Sequence, residues 1–225
     1  MFEGEKDMNI DSIIFDLDGT LWDSTEEMLN AWGTVFKNNK EVTNPITMEI
    51  LESCMGLQIH EIGAKLFPYL EEAKQTKILE LCCEEERKLL LKEGGALYKD
   101  LERTLQTLSK SYSLFIVSNC QCGYIETFLE YHNLGKYFKD FECAGNTRLV
   151  KGENIKSVIK RNNLGHPVYV GDTQGERDAA KLANIPFIFA SYGFGKVDGY
   201  DYVLKEISEM VGATNVASGK LGIRR

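Results

Sequence analysis

Phe15-Asp16-Leu17-Asp18-Gly19-Thr20-Leu21-Trp22-Asp23-Ser24 decides how the rest of this chain is read. Just before it, Asp11-Ser12-Ile13-Ile14-Phe15 has the character of a short buried strand. Two carboxylates therefore emerge where that strand ends. Side chains alternate along a strand, so residues i and i+2 share a face, and Asp16 and Asp18 are expected to look into one pocket. Gly19 allows the tight turn that follows. One acid free to attack and a second able to carry a proton suit phosphoryl transfer. Asp-Gly is also a common turn dipeptide, so by itself the run reads as a solvated bend too.

Outward from this run, apolar segments bounded by turns recur in the second half of the chain. Ser113 to Val117, Val168 to Val170, Phe187 to Ala190 and Tyr202 to Leu204 read as buried strands. Amphipathic stretches lie between them, at about Lys99 to Lys110, Gly123 to His132, Glu153 to Asn162 and Glu176 to Leu182. Alternation of strand and helix predicts an α/β fold, a parallel sheet with helices on both faces. Ligands of such sheets bind at the carboxyl ends of the strands.

From Ser24 to Glu93 the pattern changes to helical periodicity alone. Met28, Leu29, Trp32, Val35 and Phe36 follow i, i+3, i+4 spacing, and Ile59 to Leu66 and Ile78 to Leu91 repeat it. The expected organisation is an α/β core of residues 1–20 and 94–212, interrupted by a helical cap over 21–93. Gly94-Gly95 is the expected hinge on the return, and 213–225 is expected to be a flexible tail.

Composition bounds the partners. A net charge of −8 supplies no basic surplus to neutralise nucleic-acid phosphates or an acidic membrane surface. The six cysteines (Cys54, Cys82, Cys83, Cys120, Cys122 and Cys143) show no disulfide framework, and Cys120-Gln121-Cys122 lacks a second ligand pair for zinc. Reduced thiols, an acidic Met1 to Asn9 without an apolar leader, and no run long enough to span a bilayer make a cytoplasmic protein the expectation.

Three further stations sit at strand ends. Ser118-Asn119 follows the second strand, where a hydroxyl and an amide can donate to phosphoryl oxygens, or simply turn the chain. Lys151 opens a helical segment, where the helix dipole disfavours a cation; it reads either as a surface lysine or as the balance for clustered carboxylates. Gly171-Asp172-Thr173 ends another strand, with Glu176 and Asp178 close behind. Such acids make a hard oxygen site suited to Mg²⁺, and capping of the next helix is compatible with it.

The ordered set, Asp-Leu-Asp-Gly-Thr, then Ser-Asn, then Lys, then Gly-Asp-Thr, resembles the haloacid dehalogenase superfamily, in its phosphoglycolate-phosphatase-like group with a helical cap. The resemblance covers roughly residues 10 to 210, including the loop Tyr192-Gly193-Phe194-Gly195. It implies a Rossmann-like core and an enzyme in which Asp16 attacks phosphorus and Asp18 protonates the leaving alcohol and then activates water. Ser118 would bind a phosphoryl oxygen with support from Asn119, and Gly19 would sit at the substrate. Lys151 would neutralise nucleophile and phosphate. Mg²⁺ would be held by Asp16, the carbonyl of Asp18, and Asp172.

One position departs from the family. A second Asp is usual four residues after Asp172, and Glu176 stands there, to reach the metal through water or to orient Lys151. Asp178 is the rival at a less suitable offset. Gly56, in Cys54-Met55-Gly56-Leu57-Gln58 between expected cap helices, resembles the glycine of the family's specificity loop, and it also reads as an ordinary interhelical turn.

The expected activity is a Mg²⁺-dependent phosphomonoesterase acting on a small phosphorylated metabolite, phosphoglycolate being the family-level candidate, in a monomer or homodimer. A pyrophosphatase or a sugar-phosphate mutase would use the same acids, and a non-catalytic phospho-ligand binder is the remote alternative. A haloalkanoate dehalogenase has no need of Asp18.

Overall fold

In the computed structural model, which describes residues 7–215 and 220–222, β1 (Asp7–Asn9) leads into β2 (Ser12–Phe15), the central strand of the molecule. All four residues of β2 are buried, as expected of a strand covered on both faces. Its side chains divide between two cores. Ile13 and Phe15 join a cluster with Leu105, Ile116, Phe128 and Val170, while Ile14 joins Phe115, Ile155, Val158 and Tyr169 on the opposite face.

After β2 the chain forms β3 (Trp22–Asp23) and leaves the sheet for α1 (Thr25–Asn38), α2 (Met48–Glu52), α3 (Ile59–Leu66) and α4 (Glu72–Glu93). It returns through β4 (Ala96–Leu97), which pairs antiparallel with β3. Asp23 accepts from the backbone N–H and hydroxyl of Thr25, satisfying one of the orphan donors at the start of α1. The four helices bury their own apolar cluster, with Met28, Trp32, Phe36, Leu51, Phe67 and Leu79 among its members. Leu21 and Trp22, which the sequence reading placed at the start of the cap, pack in the main core. Trp22 sets its ring edge-on to Phe128 at 5.0 Å and to Tyr124 at 5.6 Å.

The core then proceeds through α5 (Leu101–Leu108), β5 (Ser113–Ser118), α6 (Tyr124–Tyr131), β6 (Phe138–Cys143), α7 (Ala144–Thr147), α8 (Lys151–Asn162), β7 (Pro167–Gly171), α9 (Gln174–Leu182), β8 (Phe187–Ala190), β9 (Tyr202–Leu204) and α10 (Glu209–Ala213). The six-stranded sheet has the order β6-β5-β2-β7-β8-β9, and every neighbouring pair is parallel. Strand β6 has no counterpart in the sequence reading. It is an edge strand with Lys139, Asp140 and Glu142 among its residues, so it lacks a continuous apolar run.

Within the stretch expected to be a flexible tail, β10 (Thr214–Asn215) and β11 (Lys220–Gly222) form a small antiparallel sheet with β1. Residues 216–219 and 223–225 of that stretch lie outside the described residues. No helix among the described residues is long and apolar enough to cross a membrane. The six cysteines are free thiols.

Candidate active site

Sheet order explains why residues far apart in sequence meet. Phe15 at the end of β2 is in register with Ile116 of β5 on one side and with Val170 of β7 on the other. One residue beyond Phe15 is Asp16, two beyond Ile116 is Ser118, and two beyond Val170 is Asp172. Three adjacent parallel strands thus deliver all three side chains to one edge, and all three residues are buried. Ser118 shares with Asp16, Asp18 and Lys151 the lining of a small cavity of about 60 Å³.

Lys151, in the first turn of α8, completes the centre. Its Nζ donates to Asp16 Oδ1 at 2.7 Å and to Glu176 Oε1 at 2.7 Å, and all three side chains are almost fully buried. Burial by itself would lower the Lys151 pKa, but the Asp16 and Glu176 carboxylates overcome it and hold the ammonium well above its usual range. That compensation accounts for a cation tolerated at the positive end of a helix.

Glu176 uses its other oxygen on the backbone. Oε2 accepts from Asp172 N at 2.8 Å and Thr173 N at 3.0 Å, at the start of α9. Both oxygens are therefore engaged, one by Lys151 and one by the strand end that carries Asp172. Asp178 is exposed and pairs with Arg177, away from this centre.

Asp172 presents a different situation. Oδ2 accepts from Phe194 N at 2.7 Å and Gly195 N at 3.3 Å, whereas Oδ1 is buried with no hydrogen-bond partner. The loop Tyr192 to Gly195 thus serves to orient one oxygen and leave the other free. Burial first, and then the neighbouring Glu176 charge, push the Asp172 carboxyl up to about 8. Asp16 is raised well above its ordinary value by burial, with Glu176 and Asp172 adding repulsion against the pull of Lys151.

The carboxylate oxygens of Asp16, Asp172 and Glu176 come within 4.8 Å of one another. Three buried acids share one ammonium, and one oxygen is orphaned among them. A hard divalent cation fits this donor set, since Mg²⁺ takes carboxylate and carbonyl oxygens.

Asp18 occupies separate surroundings. Its Oδ1 accepts from Trp22 Nε1 at 2.8 Å, Ser24 Oγ at 3.0 Å and Tyr124 OH at 2.8 Å. Burial raises its pKa, and those three donors partly oppose the rise. Asp16 and Asp18 do line one cavity, but strand alternation is not what aims Asp18. The strand ends at Phe15, and Leu17 O then accepts from the N–H groups of Thr20, Leu21 and Trp22 in a tight turn. The two acids consequently have distinct partners.

Gly19 lies in that turn at φ +81°, and a Cβ there would collide with the Asp172 carboxylate. Close approach of two strand ends is what demands glycine here. Gly56 has φ +79°, and its carbonyl accepts from Asn119 Nδ2 at 2.8 Å. Gln58 Nε2 adds a bond to Leu149 O at 3.1 Å. The cap loop is thereby latched onto the core, and Asn119 is engaged in the latch.

Sequence reasoning missed Trp22, Ser24 and Tyr124 around Asp18, and Glu86 of α4 in the cavity wall. For Tyr124 and Glu86 no local signal exists, because each sits in an ordinary amphipathic helix. Trp22 and Ser24 lie within the opening run and could have been flagged as donors.

A family model described as haloacid dehalogenase-like hydrolase matches residues 13–190. The chain is 29% identical over 210 residues to a phosphoglycolate phosphatase of Aquifex aeolicus, covering 88% of this chain and 94% of that relative. A phosphoglycolate phosphatase of Aliivibrio fischeri is 26% identical over 199 residues, covering 83% and 86%. Among solved structures, a haloacid dehalogenase-like family hydrolase of Streptococcus pneumoniae has a TM-score of 0.79 at 21% identity, covering 91% of this chain and 98% of that one.

Proposed function

The chain belongs to the haloacid dehalogenase-like hydrolases, and from that premise we propose that it is a Mg²⁺-dependent phosphomonoesterase of small phosphorylated metabolites, with Asp16 as nucleophile. The observation that carries this reading is the pairing of a buried, lysine-held carboxylate, Asp16, with a buried acid, Asp172, that has one oxygen without a partner.

In this reading Asp16 attacks the phosphoryl group in line and the ester oxygen leaves, giving an aspartyl-phosphate. Lys151 favours the ionised form of Asp16 against burial and offsets the charge of the incoming phosphate, with Glu176 fixing where the ammonium sits. Ser118 donates its hydroxyl to a phosphoryl oxygen. Asp18, its raised pKa favouring the protonated form, gives a proton to the leaving alkoxide and then takes one from the water that hydrolyses the intermediate; such transfers supply about 10²–10⁴-fold. Asp16, the Asp18 carbonyl and Asp172 Oδ1 would hold Mg²⁺, which neutralises charge between the two anions. Closure of the cap over the small cavity would exclude bulk water.

The curated relatives bear the name phosphoglycolate phosphatase, which makes two-carbon phosphate esters the first substrates to try. An acidic, thiol-bearing chain of this kind is read as cytoplasmic. Purified protein with p-nitrophenyl phosphate and Mg²⁺ should turn over, Asp16→Asn should be inactive, and EDTA should abolish the wild-type rate. Equal rates for wild type and Asp16→Asn would remove Asp16 as nucleophile.

A further inference from the structure

Resting on the phosphatase reading above, we propose that Glu86 selects the leaving group, and that the alcohol released carries a hydrogen-bond-donating terminal group, ammonium or hydroxyl, in place of a carboxylate. Glu86 lies on α4 of the cap and is 1% exposed, yet it lines the same cavity as Asp16, Asp18 and Lys151. Its Oε2 accepts from Trp32 Nε1 at 2.8 Å, and its Oε1 is buried with no partner. The indole thus holds the carboxyl in one orientation and leaves one oxygen unsatisfied.

The remaining cap-side lining is apolar or weakly polar, with Met28, Leu51, Cys54, Met55 and Leu57 around it. Lys151 is the one cation among the described residues that line this cavity, and it is bound to Asp16 and Glu176. A substrate carboxylate would therefore meet no free cation within this cavity, and would face Glu86 with Asp18 close by. A hydroxyl or ammonium would instead supply the bond that Oε1 lacks. A buried acceptor left unpaired discriminates strongly against a ligand that cannot donate to it. Burial raises the Glu86 pKa to about 8, against the help of the Trp32 N–H and the Tyr124 hydroxyl and with Asp18 adding repulsion, so Glu86 acts as an ionised acceptor above that pH, where the discrimination is sharpest.

The test uses three two-carbon esters that differ only at the far end: 2-aminoethyl phosphate, 2-hydroxyethyl phosphate and phosphoglycolate. Above about pH 8, where Glu86 is ionised, wild type should show kcat/KM at least about tenfold higher for one of the first two than for phosphoglycolate, and the order of those two distinguishes ammonium from hydroxyl. In Glu86→Gln that ratio should fall about tenfold, and in Trp32→Phe, which frees the carboxyl from its indole, it should fall part of the way. Ratios taken within one variant cancel any general loss of folded enzyme. Phosphoglycolate as the best ester, or an unchanged ratio in Glu86→Gln, overturns the proposal while p-nitrophenyl phosphate turnover keeps the phosphatase reading intact. No turnover of any ester, p-nitrophenyl phosphate included, overturns both.

Discussion

Glu176 reaches Lys151 with one carboxylate oxygen, at 2.7 Å, while its second oxygen accepts the backbone N–H of Asp172. The residue therefore ties the ammonium beside the proposed nucleophile to the strand end that carries the proposed metal ligand. In Glu176→Gln the amide nitrogen cannot accept, so one of these two ties is lost. Breaking a buried pair costs about 3–5 kcal/mol, so a lower Tm is expected together with a fall in kcat of about tenfold or more. Asp178→Asn, at an exposed side chain, should stay within about twofold. Steady-state kinetics and thermal unfolding of the two variants check this, and a silent Glu176→Gln would refute the tie.

Tyr124 donates to the same Asp18 oxygen as Trp22 and Ser24. These donors favour the ionised carboxylate, so Tyr124→Phe should raise the Asp18 pKa further. A hydrogen bond to a charged group is worth about 1.5 kcal/mol at the low end, or about one pKa unit. The alkaline limb of kcat/KM for an alkyl phosphate should move up by up to about that much. A profile superimposable on wild type would detach Asp18 from the proton transfer.

Asp172 titrates near 3.8 in an ordinary setting and is pushed to about 8 in the fold. Over that interval the native state keeps a proton that the unfolded chain releases. Its contribution to stability is thus present below about pH 4 and is lost as pH rises through about 8. A divalent cation held by Asp172 would replace the proton as partner of the carboxylate. The rise in Tm on adding Mg²⁺ should accordingly be larger at pH 8 than at pH 5.5. Equal shifts at both values would separate the metal from Asp172.

Asn119 holds the cap through the Gly56 carbonyl at 2.8 Å. Asn119→Ala should loosen that latch, with faster amide exchange in residues 53–58 and a lower kcat, while the core strands keep their protection. Unchanged exchange in the loop would show that other contacts close the cap.

Much of the fold was legible because β2, β5, β7, β8 and β9 are short apolar runs separated by amphipathic helices, and periodicity reports burial directly. Strand β6 was not, because an edge strand can carry charges such as Lys139 and Asp140. At the site, Asp16, Ser118 and Asp172 were nameable from their strand-end contexts, and Lys151 from its place at the start of a helix. The engagement of Asn119 with the cap and the double use of Glu176 were not, since both depend on where a carbonyl or an N–H from another segment falls.

The residues alone pointed to an α/β protein with a helical segment between its first strands, and to acids at strand ends and a lysine at a helix start. Both follow from local chemistry: hydrophobic period, turn residues and the spacing of carboxylates along one segment. Tertiary structure decided how those groups divide their work. Parallel pairing of β5, β2 and β7 brings Ser118, Asp16 and Asp172 together, α8 swings Lys151 between two carboxylates, and the packing of α4 on the core sets Glu86 facing the proposed nucleophile's cavity. Hydrogen bonds and charges act over a few ångströms of space, whereas Asp16 and Lys151 are 135 positions apart along the chain. Only folding converts the one separation into the other.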